Sequence, residues 1–180
     1  MIRITGGEDR SRLLEIPAGG VTKPTMDMMR QAIFSALSYD IYGKTVLDLF
    51  AGSGSYSFES LSRGAKHATL VECHGDVIAV EKRNARTLKR EEQVNIINEN
   101  TEIYLGETNE KFDIVFIDPP YCYETERYEK LVKTLISREI IKDNGIIVLE
   151  SDKELNIDKS MFKDVRLYEH GVARAYILRK

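Results

Sequence analysis

The sequence has few cysteines. Only Cys73 and Cys122 occur among the 180 residues, they form no CxxC pair, and the three histidines are scattered. A disulfide framework or a tetrahedral zinc site needs more ligands at regular spacing. The composition therefore excludes both classes, predicts no metal cofactor, and fits a reducing cytosol.

Long apolar runs are also missing. No stretch approaches the roughly 18 apolar residues that a membrane helix needs. The opening residues, MIRITGGEDRSR, contain no apolar signal core. These absences predict a protein that does not cross a membrane and is not exported, so we expect a cytoplasmic location.

An excess of positive charge is absent too. The formal net charge is −3, with 42% hydrophobic and 31% charged residues. A chain of this length and composition can bury one hydrophobic core, but it has no overall field that attracts nucleic acid. Any contact with nucleic acid must therefore come from a local basic patch.

From residue 44 onward, short apolar runs alternate with amphipathic segments. Strands this apolar are typical of a parallel sheet covered by helices on both faces. The last two runs flank a His-Gly turn and predict an antiparallel pair that closes the sheet edge. The predicted strands are 45–50, 67–72, 94–98, 112–118, 145–150 and two within 163–180, and the predicted helices are 55–64, 76–91 and 128–141.

The N-terminal segment has a different pattern. Two short β-like pieces, MIRIT and RLLEIPA, flank the turn-rich GGEDRS and predict a hairpin. Apolar residues then recur at helical spacing over 26–37, and Thr25 is suited to cap that helix. We predict a hairpin-and-helix extension over 1–40 and a doubly wound α/β domain over 41–180.

The first strand of that domain runs into a glycine-containing loop, DLFAGSG (48–54), which opens a helix. Glycines let a ligand lie against the main chain, and the free N–H groups of a helix start favour polar ligand groups. The second strand ends in Glu72, 24 residues after Asp48, where an acid accepts hydrogen bonds from both hydroxyls of a ribose. A ribose-containing cofactor is indicated, and a plain strand-to-helix turn is the alternative.

The loop lacks the third glycine of a dinucleotide fingerprint. The GxGxxG pattern needs glycine where this sequence has Ser57. Residues 1–43 also precede the strand, whereas a dinucleotide site usually lies on the opening strand of its domain. Both features favour S-adenosylmethionine over a dinucleotide.

The fourth strand of the domain ends in Asp118-Pro119-Pro120-Tyr121. Because it ends at the same sheet edge as the first, we expect Asp118 to face the glycine loop. Its carboxylate and the Pro119 carbonyl, held still by the prolines, suit the hydrogens of an exocyclic base amine, and Tyr121 offers a stacking face. Such a base must be single-stranded or flipped out. The alternative is a strand that simply ends in a proline turn.

These motifs together resemble known methyltransferases. DLFAGSG followed by DPPY is similar to the class I amino methyltransferases. RITGGEDRSRLLEIP followed by KPTMDMMRQAIFSAL is similar to the RsmD family, bacterial enzymes that act on guanine N2 in 16S ribosomal RNA, and the resemblance covers nearly the whole chain. It implies a class I methyltransferase fold, S-adenosylmethionine as cofactor, and 16S rRNA within a small ribosomal subunit as partner. A monomer is the default expectation.

The resemblance also implies roles for individual residues. The catalytic positions are Asp118, Pro119, Pro120 and Tyr121. The cofactor positions are Asp48, Phe50, Gly52, Ser53, Gly54, Glu72 and Asn100, with Thr25 and Arg30 near the methionine end of the cofactor or the substrate entrance. The RNA-contacting positions are Arg3, Arg10, Arg12 and Lys23.

The N-terminal segment departs from the family pattern. Lys23 stands where the family usually has arginine, and Asp9 and Ser11 flank Arg10 in a loop that is usually more basic. Residues 1–30 carry five basic and four acidic side chains. This thin patch suggests that ribosomal proteins complete the docking surface.

Two other functions stay open. DPPY also occurs in DNA adenine methyltransferases, but those usually carry an extra domain that reads sequence, and the chain has no room for one between Tyr121 and Gly145 or elsewhere. The second is a non-catalytic, cofactor-binding module of ribosome assembly. The intact Asp118 and Tyr121 argue against it.

Overall fold

The computed structural model describes residues 1–19, 24–120 and 123–180, except for the side chains of residues 24–26. Lys23, Tyr121 and Cys122 therefore lie outside the described residues. The chain begins with β1 (Ile2–Arg3), β2 (Leu13–Leu14) and helix α1 (Pro24–Ala36). Strands β1 and β2 pair antiparallel, which confirms the predicted hairpin.

Seven strands in the described part of the chain form one sheet. They are β3 (Thr45–Leu49), β4 (His67–Glu72), β5 (Val94–Asn98), β6 (Phe112–Ile117), β7 (Ile141–Ser151), β8 (Asp164–His170) and β9 (Ala173–Arg179). Across the sheet the order is β5-β4-β3-β6-β7-β9-β8. The first five strands of this order, from β5 to β7, run parallel to one another, and β9 is antiparallel to both of its neighbours. The predicted parallel sheet with an antiparallel terminal pair is confirmed.

Helices cover both faces of the sheet. Those that follow β3 in the described ranges are α2 (Ser55–Ser62), α3 (Gly75–Leu88), α4 (Thr101–Glu107) and α5 (Thr125–Ser137). Along β6, Ile114 and Phe116 pack with α1, α2 and α3, whereas Val115 and Ile117 pack with α4 and α5. Burial on both faces explains why the strands are almost continuously apolar. Within the described residues, no helix combines the length and hydrophobicity of a membrane span.

The strand order reverses at β3. The chain passes from β3 to β4 on one side and returns to β6 on the other, and open α/β sheets bind ligands in the crevice at such a point. Leu49 of β3 lies in register with Ile117 of β6. The loops that begin at Phe50 and Asp118 therefore open into the same crevice, as the sequence predicts.

A buried carboxylate fixes the N-terminal hairpin to α2. Glu59 is 1% exposed and accepts hydrogen bonds from the Thr5 N–H at 2.8 Å, the Thr5 hydroxyl at 2.7 Å and the Gly6 N–H at 2.9 Å. It also accepts a bond from Arg63 Nε at 2.8 Å. Arg30 Nε of α1 lies 3.9 Å from the same carboxylate. The hairpin, α1 and α2 therefore all place groups close to the carboxylate of Glu59.

Gly7 allows the hairpin to lie close to the end of α2. Its φ is +79°, and a Cβ there would lie 1.8 Å from the Ser62 carbonyl oxygen. The same oxygen accepts a hydrogen bond from the Glu8 N–H at 2.8 Å. A side chain at residue 7 would break this contact, so the turn requires glycine.

Several predicted boundaries were wrong. Helix α1 begins at Pro24, so Thr25 lies inside it and does not cap it; proline suits the first helical position. Helix α5 ends at Ser137, and Ile141 instead begins β7 beside Phe112, because Glu139 adopts a φ of +54° that stops the helix. Helix α4 was not predicted, since it is short and contains Gly106.

Candidate active site

Asp48 connects the start of the glycine loop to helix α2. It is buried, and its carboxylate accepts hydrogen bonds from the Ser57 N–H at 3.1 Å and the Ser57 hydroxyl at 2.8 Å. Burial raises the pKa of Asp48 to about 7, the bonds from Ser57 oppose this rise, and the charge of Glu72 adds to it. Ser57, which occupies the place of the missing third glycine, therefore ties the start of α2 to β3.

The glycines of the loop have different surroundings. A Cβ at Gly54, whose φ is +74°, would lie 2.5 Å from the ring of Phe58. A Cβ at Gly52, whose φ is +58°, would meet only the Phe50 carbonyl at 3.9 Å. Gly54 therefore serves internal packing, while the backbone of Gly52 is open to a ligand. Ser53 is buried, and its carbonyl accepts a hydrogen bond from Asn84 Nδ2 at 2.9 Å.

Glu72 links the end of β4 to the glycine loop. Its Oε2 accepts a hydrogen bond from the Gly52 N–H at 3.3 Å, and its Oε1 accepts bonds from the N–H groups of Cys73 at 2.8 Å and His74 at 3.0 Å. The carboxylate therefore stands at the crevice beside Gly52. Its Oε1, Cys73 Sγ and His74 Nδ1 lie within 4.8 Å of one another, but a metal there would displace the backbone bonds to Oε1.

Asn100 is the N-cap of α4. Its Oδ1 accepts hydrogen bonds from the Glu102 N–H at 2.9 Å and the Ile103 N–H at 3.3 Å. The resemblance implied an adenine contact for this residue, and the structure adds a capping role. An asparagine before a short amphipathic run is the ordinary signal for a helix start, and it could have revealed α4.

Asp118 and Pro119 line a cavity of about 170 Å³ at the end of β6. Burial raises the pKa of Asp118 well above its ordinary range, and the charges of Glu150 and Asp48 add to the rise. Pro119 is buried and Pro120 is exposed. Tyr121, for which the sequence predicts a stacking role, lies outside the described residues.

Glu150 is a residue of this cavity that the sequence pattern did not single out. It lies at the end of β7, is 9% exposed, and accepts a hydrogen bond from the Tyr56 hydroxyl. The hydroxyl of Tyr128 donates to the Glu150 carbonyl at 3.1 Å. An acid that ends a buried strand, as Glu72 and Asp118 also do, was the available signal.

Arg30 is buried among protein groups. It is 4% exposed, and its Nη2 donates to the Arg3 carbonyl at 2.8 Å and to Asp27 Oδ1 at 2.9 Å. These bonds join α1 to β1, while the charge of Arg30 also acts on Glu150. Of Thr25, only its place within α1 is described.

Arg12, one of the predicted RNA-contacting arginines, lies at the end of α3 that is remote from the crevice. Arg12 donates to the carbonyls of Thr87 and of Leu88, the last residue of α3, and it pairs with Asp9 at 3.0 Å. Helix α3 starts at the crevice and has 14 residues, so at 1.5 Å per residue it spans about 21 Å. Arg3 and Arg10 are exposed on the same hairpin. A partner that contacts both the crevice and Arg12 must span about the length of α3.

Glu81 is a buried carboxylate on α3. It is 0% exposed, and neither side-chain oxygen has a hydrogen-bond partner among the described residues. Burial raises the pKa of Glu81 to about 9, and the charges of Asp48 and Glu72 add to the rise. Glu81 is therefore protonated at neutral pH and leaves polar groups unsatisfied in the core.

Replacing Glu81 by leucine is expected to stabilise the fold by about 1–3 kcal/mol, the usual cost of an unsatisfied buried polar group. In the wild type the folded chain keeps a proton that the unfolded chain releases, so stability falls as pH rises from 4.5 to about 9. The variant should lose this slope. Urea unfolding at pH 6 and pH 8.5 measures both effects, with exposed Glu92→Leu as the control. An equal gain at both pH values would contradict the protonated, buried state.

The family model described as conserved hypothetical protein 95 matches residues 2–177. The chain belongs to this family. Ribosomal RNA small subunit methyltransferase D from Haemophilus influenzae is 35% identical over 156 residues, which are 85% of this chain and 80% of that protein. The proposed rRNA methyltransferase YlbH of Bacillus subtilis is 32% identical over 164 residues, 89% of this chain and 88% of that one.

A solved structure supports the same assignment. The structure of the proposed methyltransferase yhhF from Escherichia coli matches this chain with a TM-score of 0.89 and 31% sequence identity. The match covers 99% of this chain and 97% of that one. The resemblance to the RsmD family, read from the sequence motifs, is thereby confirmed, as is the class I methyltransferase fold. This family member is a methyltransferase.

Proposed function

We propose that the chain transfers a methyl group from S-adenosylmethionine to the exocyclic N2 of a guanine in 16S ribosomal RNA. The observation that carries this proposal is the cavity at the ends of β6 and β7. There Asp118, Pro119 and Glu150 line an acceptor-rich wall, and the in-register strand ends Leu49 and Ile117 bring the glycine loop to the same edge of the sheet. Such a wall suits an amine nitrogen that must lose hydrogen and gain positive charge during methylation.

The residues of the crevice fit S-adenosylmethionine. Gly52 leaves its backbone open to a ligand, and the Glu72 carboxylate beside it suits the two hydroxyls of a ribose. When bound, this cofactor supplies an electrophilic methyl group on a sulfonium sulfur. The loop ends at the start of α2, where free backbone N–H groups suit the carboxylate of its methionine part.

The chain's own residues position the base and take up charge. The N2 lone pair forms the new N–C bond as the C–S bond breaks onto sulfur, and N2 then releases one proton. The Asp118 carboxylate and the Pro119 carbonyl accept the two N2 hydrogens, which favours the pyramidal nitrogen of the transition state. Asp118 is the group placed to receive the released proton.

The position of the hairpin favours a large substrate. The Arg12 side chain contacts the last residues of α3, which lie about 21 Å along this 14-residue helix from its start at the crevice. A structured RNA spans this distance, whereas a nucleoside does not. We propose that Arg3, Arg10, Arg12 and Lys23 contact the RNA backbone in an assembled or assembling small subunit.

Methyl transfer with labelled S-adenosylmethionine tests the proposal. The substrates are small ribosomal subunits lacking the modification, 16S rRNA stripped of protein, and plain DNA, each digested afterwards to identify the labelled nucleoside. N2-methylguanosine from either RNA sample is the expected product. N6-methyladenine from DNA would instead support a DNA methyltransferase. Cofactor binding without any product would support the non-catalytic assembly module.

Replacing Glu72 by alanine is expected to weaken S-adenosylmethionine binding by about 10–100-fold, because a hydrogen bond to a charged acceptor contributes about 1.5–3 kcal/mol. Calorimetric titration of the chain with the cofactor measures the change. Glu72→Gln is the matched variant, since its amide oxygen still accepts bonds from backbone N–H groups and should lose less affinity. Unchanged affinity in the alanine variant would refute a ribose contact by Glu72.

A further inference from the structure

The pairing of β6 with β7 brings two carboxylates together. Ile117 lies in register with Leu149 in this parallel pair. The next residues, Asp118 and Glu150, therefore stand side by side on the same face of the sheet. Two positions earlier on each strand, Phe116 and Val148 point into the core cluster that contains Tyr56.

Glu150 is held rigidly in this position. The Tyr56 hydroxyl donates to its Oε2, and the Tyr56 ring stacks on Phe116 with centroids 4.8 Å apart and planes inclined by 21°. Burial raises the pKa of Glu150, whereas the Tyr56 hydroxyl and the charge of Arg30 oppose that rise and favour the carboxylate form. One oxygen of Glu150 is thus bonded to Tyr56, and the other has no hydrogen-bond partner among the residues that the structure describes.

Glu150 also lines the cavity that contains the acceptor-rich wall. The residues that line this cavity include Asp118, Pro119, Glu150, Ser151 and Asp152. The volume of about 170 Å³ is several times the roughly 30 Å³ that a water molecule occupies in the liquid. A buried charged group in such a space needs a partner that donates hydrogen.

The Watson–Crick edge of guanine supplies that partner. Guanine presents the N1–H beside the N2 amine, so two neighbouring groups donate hydrogen. Adenine presents an amine beside N1, which is an acceptor, and 2-aminopurine has the 2-amine beside an equally bare N1. If Asp118 and Pro119 hold the N2 hydrogens, the adjacent carboxylate meets hydrogen at N1 of guanine but a lone pair in the other two bases.

We propose that Glu150 is a specificity-determining residue, which accepts the N1–H of the target guanine and repels bases whose N1 is an acceptor. This inference rests on the proposed function and deepens it, because it names the group that selects guanine. Glu150 acts through contact with the base, while Tyr56 is a positioning residue that acts through Glu150.

The substitution Glu150→Gln gives a sharp test. The glutamine carbonyl can take the bond from the Tyr56 hydroxyl, which leaves the NH₂ group towards the cavity. That group opposes the N1–H of guanine and pairs with the bare N1 of 2-aminopurine. The substrates are 16S rRNAs joined by ligation so that the mapped target position carries guanosine or 2-aminopurine riboside. They are offered free or in reconstituted subunits, whichever form the wild type methylates.

The readout is the ratio of kcat/KM for guanosine over that for 2-aminopurine riboside. We expect a wild-type ratio of about 100 or more, since sites built to hydrogen-bond a group reject analogues that lack it. In Glu150→Gln the ratio should fall at least tenfold, with 2-aminopurine methylated as well as or better than by the wild type. Asp152→Asn, which changes another carboxylate of the same cavity, should keep the wild-type ratio.

The outcomes separate this inference from the proposed function. If the wild type methylates guanine N2 but Glu150→Gln keeps its ratio, or Asp152→Asn shifts it instead, the role of Glu150 is overturned while the function stands. If the wild type modifies no guanine N2, the proposed function itself fails. Should Glu150→Gln not fold, Tyr56→Phe decides, because it removes only the hydroxyl that orients Glu150. It should lower the ratio with unchanged cofactor affinity, and an unchanged ratio would overturn the proposal.

Discussion

Replacing Asp118 by asparagine is expected to lower kcat for methyl transfer by about 10²–10⁴-fold, the usual contribution of a positioned proton acceptor. Asparagine keeps the size of the side chain but presents an NH₂ group that cannot receive a proton. Cofactor affinity should stay near that of the wild type, because the bonds of Glu72 to the glycine loop do not involve residue 118. Single-turnover transfer from labelled S-adenosylmethionine measures the chemical step directly.

The control for this experiment is Asp143→Asn. Asp143 is exposed at the opposite end of β7, where it pairs with Lys180 at 3.1 Å, so its loss should leave the rate unchanged. A fully active Asp118→Asn enzyme would contradict the acceptor role. A loss confined to cofactor affinity would move Asp118 from the chemical step to the cofactor site.

The partly buried setting of Asp118 also determines how activity depends on pH. Burial and the charges of Glu150 and Asp48 raise the pKa of Asp118 well above its ordinary value of 3.8. Tyr56 and Tyr128 also face it. A protonated carboxyl accepts hydrogen bonds poorly, so kcat/KM should rise with pH as this proton leaves, over a range above that of an ordinary aspartate. The same shift acts on stability in the opposite direction, because the folded chain binds the extra proton.

The sequence predicted the parts of the site that lie at strand ends. An apolar run with an acid at or near its end indicates both a strand and the end at which the candidate site lies, which is why Asp48, Glu72 and Asp118 were found together. The parallel topology then brings β3, β4 and β6 to one edge, as the pairing of Leu49 with Val71 and with Ile117 shows. Periodicity and chain order suffice for this much.

The pairing of Asp118 with Glu150 could not be predicted in the same way. Register between parallel strands depends on how the intervening helix packs, and α5 together with the bulge after Phe112 sets it here.

Charge counts also misjudge the N-terminal segment. Arg12 and Arg30 count as basic residues for RNA, but both donate to carbonyls of α3 or β1 and to nearby carboxylates. Internal bonds of this kind depend on tertiary packing, which composition does not reveal.

The attachment of the hairpin to α2 gives the largest expected effect on stability. Glu59→Ala should destabilise the fold by about 3–5 kcal/mol, the usual cost of removing one partner from a buried ion pair. The change removes the acceptor for Thr5, Gly6 and Arg63 and leaves the buried Arg30 with Asp27 as its remaining anionic partner. Urea unfolding measures the loss, and exposed Glu107→Ala should change stability by no more than about 0.5 kcal/mol.

Glu59→Gln separates the charge from the hydrogen bonds. Its amide oxygen can accept from Thr5 or Gly6, but it cannot balance Arg30 and Arg63, so its stability should lie between those of the wild type and Glu59→Ala. Hydrogen exchange then locates the effect, since the Thr5 and Gly6 N–H groups donate to Glu59 and should lose protection first. If those two amides stay protected in Glu59→Ala, Ser62 holds the hairpin instead, through its hydroxyl bond to the Gly6 carbonyl at 2.6 Å and its own carbonyl. The hairpin arginines would then keep their places without the buried charge.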